Sequence, residues 1–437
     1  MTHHAATSST ALLTDRYELT MLQAALHDGT AHRASVFETF ARRLPEGRRY
    51  GVVAGTGRIL DALAAFRFGP EEIGYLREAH IVDAMTIAWL QEFRFSGSIW
   101  GYAEGETYFP GSPVVIVEGT FAECVILETV LLSIINHDSA IASAAARMIS
   151  AAGGRPCIEM GSRRTHEGAA VASARAAYIA GFEATSNLEA GRTYGIPTTG
   201  TSAHSFTLLH DTEQDAFRAQ VESLGASTTL LIDTYDIPRG VEIAVEVAGT
   251  DLGAVRIDSG DLVSLAGSVR RQLDGLGATH TKITVTSDLD EYAIAALAAA
   301  PVDGYGVGTS LVTGSGAPTS GFVYKLVART GTDGAMVSVA KKSKDKASVG
   351  GRKYALRRLG PRGRAQAEVI GIGAAPPGDN NDRPLLIPLV IDGARVFHGD
   401  LADARARLVA SLAELPETAR QLSRGEPALE TIYEETL

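Results

Sequence analysis

Gly195-Ile196-Pro197-Thr198-Thr199-Gly200-Thr201-Ser202-Ala203-His204-Ser205-Phe206 is the stretch on which the fold turns. A turn signal, Ala190-Gly191 through Gly195, precedes it. Pro197 and a short run of threonines are competent to form a strand, and from Asp211 a helical pattern runs through Phe217, Val221 and Leu224. His204 therefore falls just past an expected strand and just before an expected helix. In alternating α/β proteins that rim, outside the carboxyl ends of the strands, holds ligands and reacting groups. The alternative is a hydrogen-bonded loop histidine between small residues.

On both sides of this stretch short apolar runs recur, with helical patterns mostly between them. The runs cover residues 157–160, 181–184, 229–233, 254–258, 282–286 and 304–308, and helices are expected over 165–180, up to 224, and from 238, 261 and 289. That alternation belongs to a parallel sheet. Polar residues stand at nearly every strand end: Arg163, Asn187, His204, Asp233, Asp258, Asp288 and Thr309. A closed barrel points all its strand ends at one centre, whereas an open sheet gathers ligand groups near one switch point, so the pattern favours an α/β fold with an irregular (β/α) barrel. Residues 1–120 mix short strands and helices without a βα rhythm and are expected to form an N-terminal α+β domain. The barrel, with the active site, is expected over 121–335 and opens on a long Ala/Ile/Leu helix from 121 to 152. Residues 336–437 are expected to hold a lysine loop and a small C-terminal extension that packs on the N-terminal domain.

A chain of 437 residues is long enough for two or three domains, and 45% hydrophobic with 21% charged residues is an ordinary globular composition. The formal net charge of −11 argues against nucleic acid or an anionic membrane as partner, while leaving room for an anionic substrate in a local basic pocket. Two cysteines, Cys124 and Cys157, cannot build a disulfide framework or a cysteine-rich metal site and fit a reducing, cytoplasmic setting. Residues 1–10 lack the basic start and apolar core of a secretory signal. The longest apolar window, 125–135, is too short and polar to span a bilayer and reads as a buried helix.

The second informative stretch is Val255-Arg256-Ile257-Asp258-Ser259-Gly260-Asp261-Leu262. A buried parallel strand is normally rich in Val and Ile, so Arg256 is costly there unless its guanidinium meets an anion. Asp258 could be that anion. Ser259-Gly260-Asp261 also makes a tight strand-to-helix turn that suits a carboxylate or phosphate on a ligand. Asp233, Asp236 and Asp288 add carboxylates to the same rim, which suggests Mg²⁺ accompanying a polyphosphate, since hard cations take oxygen ligands. Gly304-Tyr305-Gly306-Val307-Gly308-Thr309-Ser310 looks like a phosphate cradle on the late strands, where barrels commonly bind phosphate. The chain's lysines concentrate at Lys341, Lys342, Lys344, Lys346 and Lys353, with only Lys282 and Lys325 elsewhere. Such a cluster is either a phosphate-gripping loop or a solvated surface loop.

Thr14-Asp15-Arg16-Tyr17-Glu18-Leu19-Thr20, Gly200-Thr201-Ser202-Ala203-His204-Ser205, Arg256-Ile257-Asp258-Ser259-Gly260-Asp261 and Gly306-Val307-Gly308-Thr309-Ser310, in this order and spacing, closely resemble the nicotinate phosphoribosyltransferase family, over about Leu13 to Lys353. The resemblance implies a type II phosphoribosyltransferase fold and a homodimer with shared active sites. It also implies that nicotinate and 5-phosphoribosyl 1-diphosphate give nicotinate mononucleotide and diphosphate, with ATP hydrolysis coupled to the reaction, in NAD biosynthesis by salvage. On that resemblance His204 would be the histidine phosphorylated by ATP, a role a neutral imidazole suits as nucleophile. Arg256 would meet the nicotinate carboxylate, Tyr17 would stack on the ring from the neighbouring subunit, and Thr201 would line the pocket. Arg163 would face the ring or its phosphoribosyl partner. Asp258 and Asp233 would hold ribose hydroxyls or Mg²⁺, with Asp288 as a further Mg²⁺ ligand. Ser259, Gly260, Gly308 and Thr309 would take phosphate, and Arg42, Lys325, Lys341 and Lys353 would grip diphosphate or ATP. Asn187 occupies a position where nicotinamide-using relatives look acidic, and an uncharged side chain there favours acid over amide. One departure is visible: the family's lysine loop usually reads Pro-Gly before its later lysine, where this chain has Gly350-Gly351.

Three competing readings are a nicotinamide-specific enzyme of the same fold, a barrel lyase or aldolase, and a non-catalytic nucleotide sensor. The lyase is disfavoured because no lysine stands at a strand's carboxyl end: Lys282 begins its strand.

Overall fold

The computed structural model describes residues 9–341 and 348–435 and divides into two compact units, 141–318 and 1–140 with 319–437. The unit over 141–318 carries six parallel strands in the order Ala184–Thr185, Cys157–Glu159, Gly304–Val307, Lys282–Val285, Ala254–Ile257, Thr229–Leu231. They form a curled half-barrel, the irregular α/β barrel anticipated from the alternation. Leu230, Val255, Ile257, Ile283, Val285, Tyr305 and Val307 are fully buried, while Ile158, Arg256 and Thr284 alternate with buried neighbours at intermediate exposure. Carboxylate and amide caps start the helices close to the strand ends. Asn187 caps Leu188–Tyr194, Asp236 caps Ile237–Ala248, Asp261 caps Leu262–Gly275 and Asp290 caps Glu291–Ala296.

The opening stretch departs from expectation. Its threonines contribute only a single parallel bridge, Thr185 to Thr198, and the chain then runs extended until His204 itself begins the helix His204–Leu209. With glycines at 195 and 200 and Pro197 between, the segment lacks the uninterrupted side chains and N–H donors a full strand needs.

The other unit holds a seven-stranded antiparallel sheet in the order Met336–Ser338, Phe322–Thr330, Ala34–Ala41, Val115–Thr120, Ser98–Gly101, Ile387–Ile391, Ala394–Arg395. A four-stranded sheet follows the order Arg383–Pro384, Lys353–Leu359, Ala365–Ile372, Glu430–Glu435. Its core gathers Leu19, Leu22, Phe37, Leu60, Leu90, Val117, Ile126, Leu131 and Tyr324. The expected boundaries at 120 and 335 therefore move to 140 and 318. Phe322–Thr330 pairs along nearly all of Ala34–Ala41, and Ile387–Ile391 pairs with Ser98–Gly101, so the C-terminal segment, expected to pack on the N-terminal domain, supplies strands of its sheet.

The long helix breaks at Ile126-Leu127 into Phe121–Val125 and Glu128–Ala152. Among the described residues Phe121–Ala152 has the length and apolarity of a membrane span, with 61% of its most apolar window buried. Ile141, Ala142, Ala144, Ala145 and Met148 are at 0% exposure. This is the packing of a core helix, whose small side chains let neighbours approach closely.

Candidate active site

Three strand ends of the parallel sheet build one cluster. Asp233 lies two residues past Thr229–Leu231, Asp258 one past Ala254–Ile257, and Thr286 one past Lys282–Val285. The Asp233 side chain is 1% exposed. Its Oδ2 accepts from the Asp258 N–H at 2.9 Å and the Ser259 hydroxyl at 2.7 Å, while its Oδ1 is buried with no hydrogen-bond partner. Asp258 Oδ1 accepts from the Thr286 hydroxyl. The imidazole of His204 completes the group: Nδ1 shares a 3.0 Å hydrogen bond with the Thr234 hydroxyl, and Nε2 stands 3.9 Å from both Asp233 Oδ1 and Asp258 Oδ2. The His204 side chain is 40% exposed, with Nε2 set between the two carboxylates.

Arg256 projects from the middle of its strand. Nη1 donates to the Thr201 hydroxyl at 2.8 Å, and Nε is buried without a partner. Burial lowers its pKa, opposed by Asp258 and Asp233 and reinforced by the nearby positive charge of Arg163. A guanidinium with donors to spare beside a second cation is arranged for an anion. Met160, Arg163, Arg164, Arg256, Asp258 and Thr286, with Ser287, Asp288, Gly306, Gly308 and Thr309, line one cavity of about 240 Å³. Gly308 and Thr309 line this cavity, and Gly260 turns the loop after Ser259 with φ +85°. The cavity contains basic and acidic walls in one space, which suits an anionic ligand that also carries hydroxyl groups. Asn187 is committed within the protein: its Nδ2 donates to Ser162 Oγ at 3.0 Å and its Oδ1 caps the following helix by accepting from Ala190 N–H.

The remaining expected residues belong to the other compact unit. Tyr17 is 46% exposed, with its pKa raised by burial and by Glu128 and Glu18. Lys325 Nζ lies 3.9 Å from Glu128 Oε1, and its pKa is lowered by burial, with Glu128 opposing and Arg42 and Lys341 adding repulsion. Arg42, Lys325 and Lys341 therefore share one basic locality. Lys353 does not join them. Its side chain is 1% exposed and forms a 2.7 Å ion pair with Glu38, so the expected phosphate grip at this position is corrected to a buried structural pair. Lys342, Lys344 and Lys346 lie outside the described residues.

Sequence reasoning missed Arg164, Met160, Thr234, Thr286 and Ser287. Arg164 was signalled by its adjacency to Arg163 on the Ser162–Arg164 turn. The two threonines each follow a strand end, but a hydroxyl carries no signal in sequence of what it will bond.

For a hard cation, the buried, unpartnered Asp233 Oδ1 and the exposed Asp288 carboxylate are chemically suitable oxygen donors. Among the described residues no group of three or more His, Cys, Asp or Glu side chains is arranged to hold a metal, so such an ion would need phosphate and water oxygens to complete its shell.

Residues 12–136 match the nicotinate phosphoribosyltransferase (NAPRTase) N-terminal domain. A nicotinate phosphoribosyltransferase of Mycobacterium tuberculosis is 59% identical over 96% of this chain and 94% of its own length. The Bacillus subtilis nicotinate phosphoribosyltransferase is 38% identical over 80% and 73%. The crystal structure of human nicotinic acid phosphoribosyltransferase superposes with a TM-score of 0.82 at 25% identity, covering 97% of each chain. By its relatives and its fold, the chain belongs to the nicotinate phosphoribosyltransferase family.

Proposed function

We propose that this chain works as an ATP-coupled nicotinate phosphoribosyltransferase, a ligase in which nicotinate, 5-phosphoribosyl 1-diphosphate, ATP and water give nicotinate mononucleotide, diphosphate, ADP and phosphate through a phosphohistidine at His204. One observation carries the reading: a guanidinium with unspent donors, Arg256, and a half-open imidazole, His204, are linked by the same pair of carboxylates, Asp233 and Asp258.

In the transfer step the pyridine nitrogen of nicotinate forms a bond to C1 of the sugar as the C1–O bond to diphosphate breaks, and diphosphate leaves with the electron pair. Arg256 orients the nicotinate carboxylate, with Thr201 holding the guanidinium and Arg163 near the ring. Positioning of this kind converts an encounter into a near-unimolecular step. Asp258 takes the ribose hydroxyls, and Ser259, Gly260, Gly308 and Thr309 take phosphate. In the coupling step the neutral Nε2 of His204 bonds to the γ-phosphorus of ATP as ADP leaves, and water later releases phosphate. Mg²⁺, held through Asp233 and Asp288 together with phosphate oxygens, would neutralise charge on the phosphates. Arg42, Lys325 and Lys341 serve diphosphate or ATP, and Tyr17 reaches the ring across a homodimer. Asn187 presents no charge to repel a carboxylate, so the acid is preferred to the amide. The setting is cytoplasmic.

Product analysis with nicotinate, the diphosphate sugar and ATP each omitted in turn tests the reading. Mononucleotide formation should require the first two and be stimulated by ATP, with ADP released. Faster turnover of nicotinamide than of nicotinate, or synthesis indifferent to ATP, would overturn it.

A further inference from the structure

We propose that Thr286 is a positioning residue for the transfer reaction, holding the Asp258 carboxylate so that one oxygen faces His204 and the cavity. The inference rests on the reading of Asp258 as a site carboxylate and adds to it the group that fixes its direction.

Asp258 is 40% exposed, and a carboxylate at that exposure turns freely about its terminal torsion unless something holds it. Among the described residues its Oδ1 accepts one hydrogen bond, from the Thr286 hydroxyl, and this leaves Oδ2 to stand 3.9 Å from His204 Nε2. Thr286 is itself immobile. It is 6% exposed, and its backbone N–H donates to the Ile257 carbonyl at 2.9 Å, continuing the parallel ladder one residue past the strand. A β-branched side chain has few χ1 choices, and the neighbouring strand removes more. The Thr286 methyl lies over Gly306, where an added Cβ would come within 2.5 Å of it and within 2.7 Å of Met160 Sδ. With the methyl seated on that glycine, the hydroxyl points at Asp258. Gly306 therefore has a duty besides letting backbone approach a phosphate: it makes room for the methyl that aims the hydroxyl.

The backbone beyond Thr286 bears the same mark of constraint. Ser287 has φ +123°, a region non-glycine residues rarely adopt, and lines the cavity beside Asp288. Its carbonyl accepts from the Leu289 N–H at 2.8 Å, closing the turn that returns the chain to the helix capped by Asp290. Such strain persists only where the surroundings over-determine the conformation, here between the Thr286 ladder contact and the capped helix.

A double-mutant cycle on the full chain tests the proposal, using Thr286→Val, which keeps the shape and the methyl, Thr286→Ser, which keeps the hydroxyl, Asp258→Ala, and Thr286→Val with Asp258→Ala. Single-turnover rates are followed, because they stay measurable when turnover is slow, and folding of each variant is checked by thermal melting. Thr286→Val should slow transfer about tenfold or more, the effect of a lost hydrogen bond to a charged group, with the KM for nicotinate unchanged and most of the rate restored in Thr286→Ser. In the Asp258→Ala background, Thr286→Val should add nothing. An equal effect of Thr286→Val with and without Asp258, or wild-type rates in Thr286→Val, would overturn the proposal. Wild-type rates in Asp258→Ala would instead remove the site reading beneath it.

Discussion

At the residue scale, charge in the wrong place was the most legible signal. Arg256 announces itself because a guanidinium inside an apolar strand demands an anion, and the structure gives it Thr201 and leaves Nε unpartnered. Arg256→Ala should weaken nicotinate binding about 10- to 100-fold, the span of a charge-assisted hydrogen bond, while binding of the diphosphate sugar changes much less. Calorimetric titration of each ligand checks this, and equal losses for both would count against the assignment. The same signal misled at Lys353, since composition cannot tell a lysine that reaches for phosphate from one that turns inward. What settles it is the alternation that follows in Lys353–Leu359, whose first residue faces Glu38. Lys353→Met leaves a buried carboxylate uncompensated and should cost about 3–5 kcal/mol in urea unfolding, with much of it regained by a second change of Glu38→Leu. Burial raises Glu38 from its ordinary 4.5 to about 7 against the attraction of Lys353. The folded chain then keeps a proton that the unfolded chain has released, so this group's contribution is present below about 4.5 and lost as pH rises through about 7. Glu38→Gln should flatten the pH dependence of the urea midpoint across that window; an unchanged slope would contradict the burial argument.

At the element scale, the parallel strands are readable because their buried positions form short apolar runs with polar residues just beyond. The strands Lys353–Leu359, Ala365–Ile372 and Glu430–Glu435 were not read. Buried Arg357 and Glu368, paired across adjacent strands, interrupt the apolar pattern and disguise them as loop. Close approach between elements was equally hidden. Gly240, in the first turn of Ile237–Ala248, would place a Cβ 2.6 Å from the Ile232 carbonyl oxygen, so only glycine lets that helix sit against the end of its strand. Gly240→Ala should destabilise by about 1–3 kcal/mol through overpacking, and would displace the segment carrying Asp233 and Thr234. Thermal melting together with single-turnover rates measures both effects; a fully stable, fully active variant would show the helix free to shift.

At the scale of the whole molecule, local periodicity ends where long-range pairing begins. All seven polar strand-end residues picked out by position, from Arg163 to Thr309, fall within 141–318, so the site's home was legible. The composition of the other unit was not. Ala34–Ala41 pairs with Phe322–Thr330 and Ser98–Gly101 with Ile387–Ile391, partners separated by most of the chain, and no local pattern specifies which distant strand meets which. The acidic balance of −11 also coexists with a local basic wall of Arg163, Arg164 and Arg256, which is how an acidic protein accommodates anionic substrates. Strands distant in sequence bring an imidazole and a guanidinium to one pair of carboxylates. Intact-protein mass spectrometry after incubation with Mg·ATP measures this most directly. We predict one acid-labile phosphoryl group, located on His204, absent from His204→Ala, and discharged when nicotinate and the diphosphate sugar are added. A protein that takes up no phosphoryl group, or that takes it up equally in His204→Ala, would contradict it.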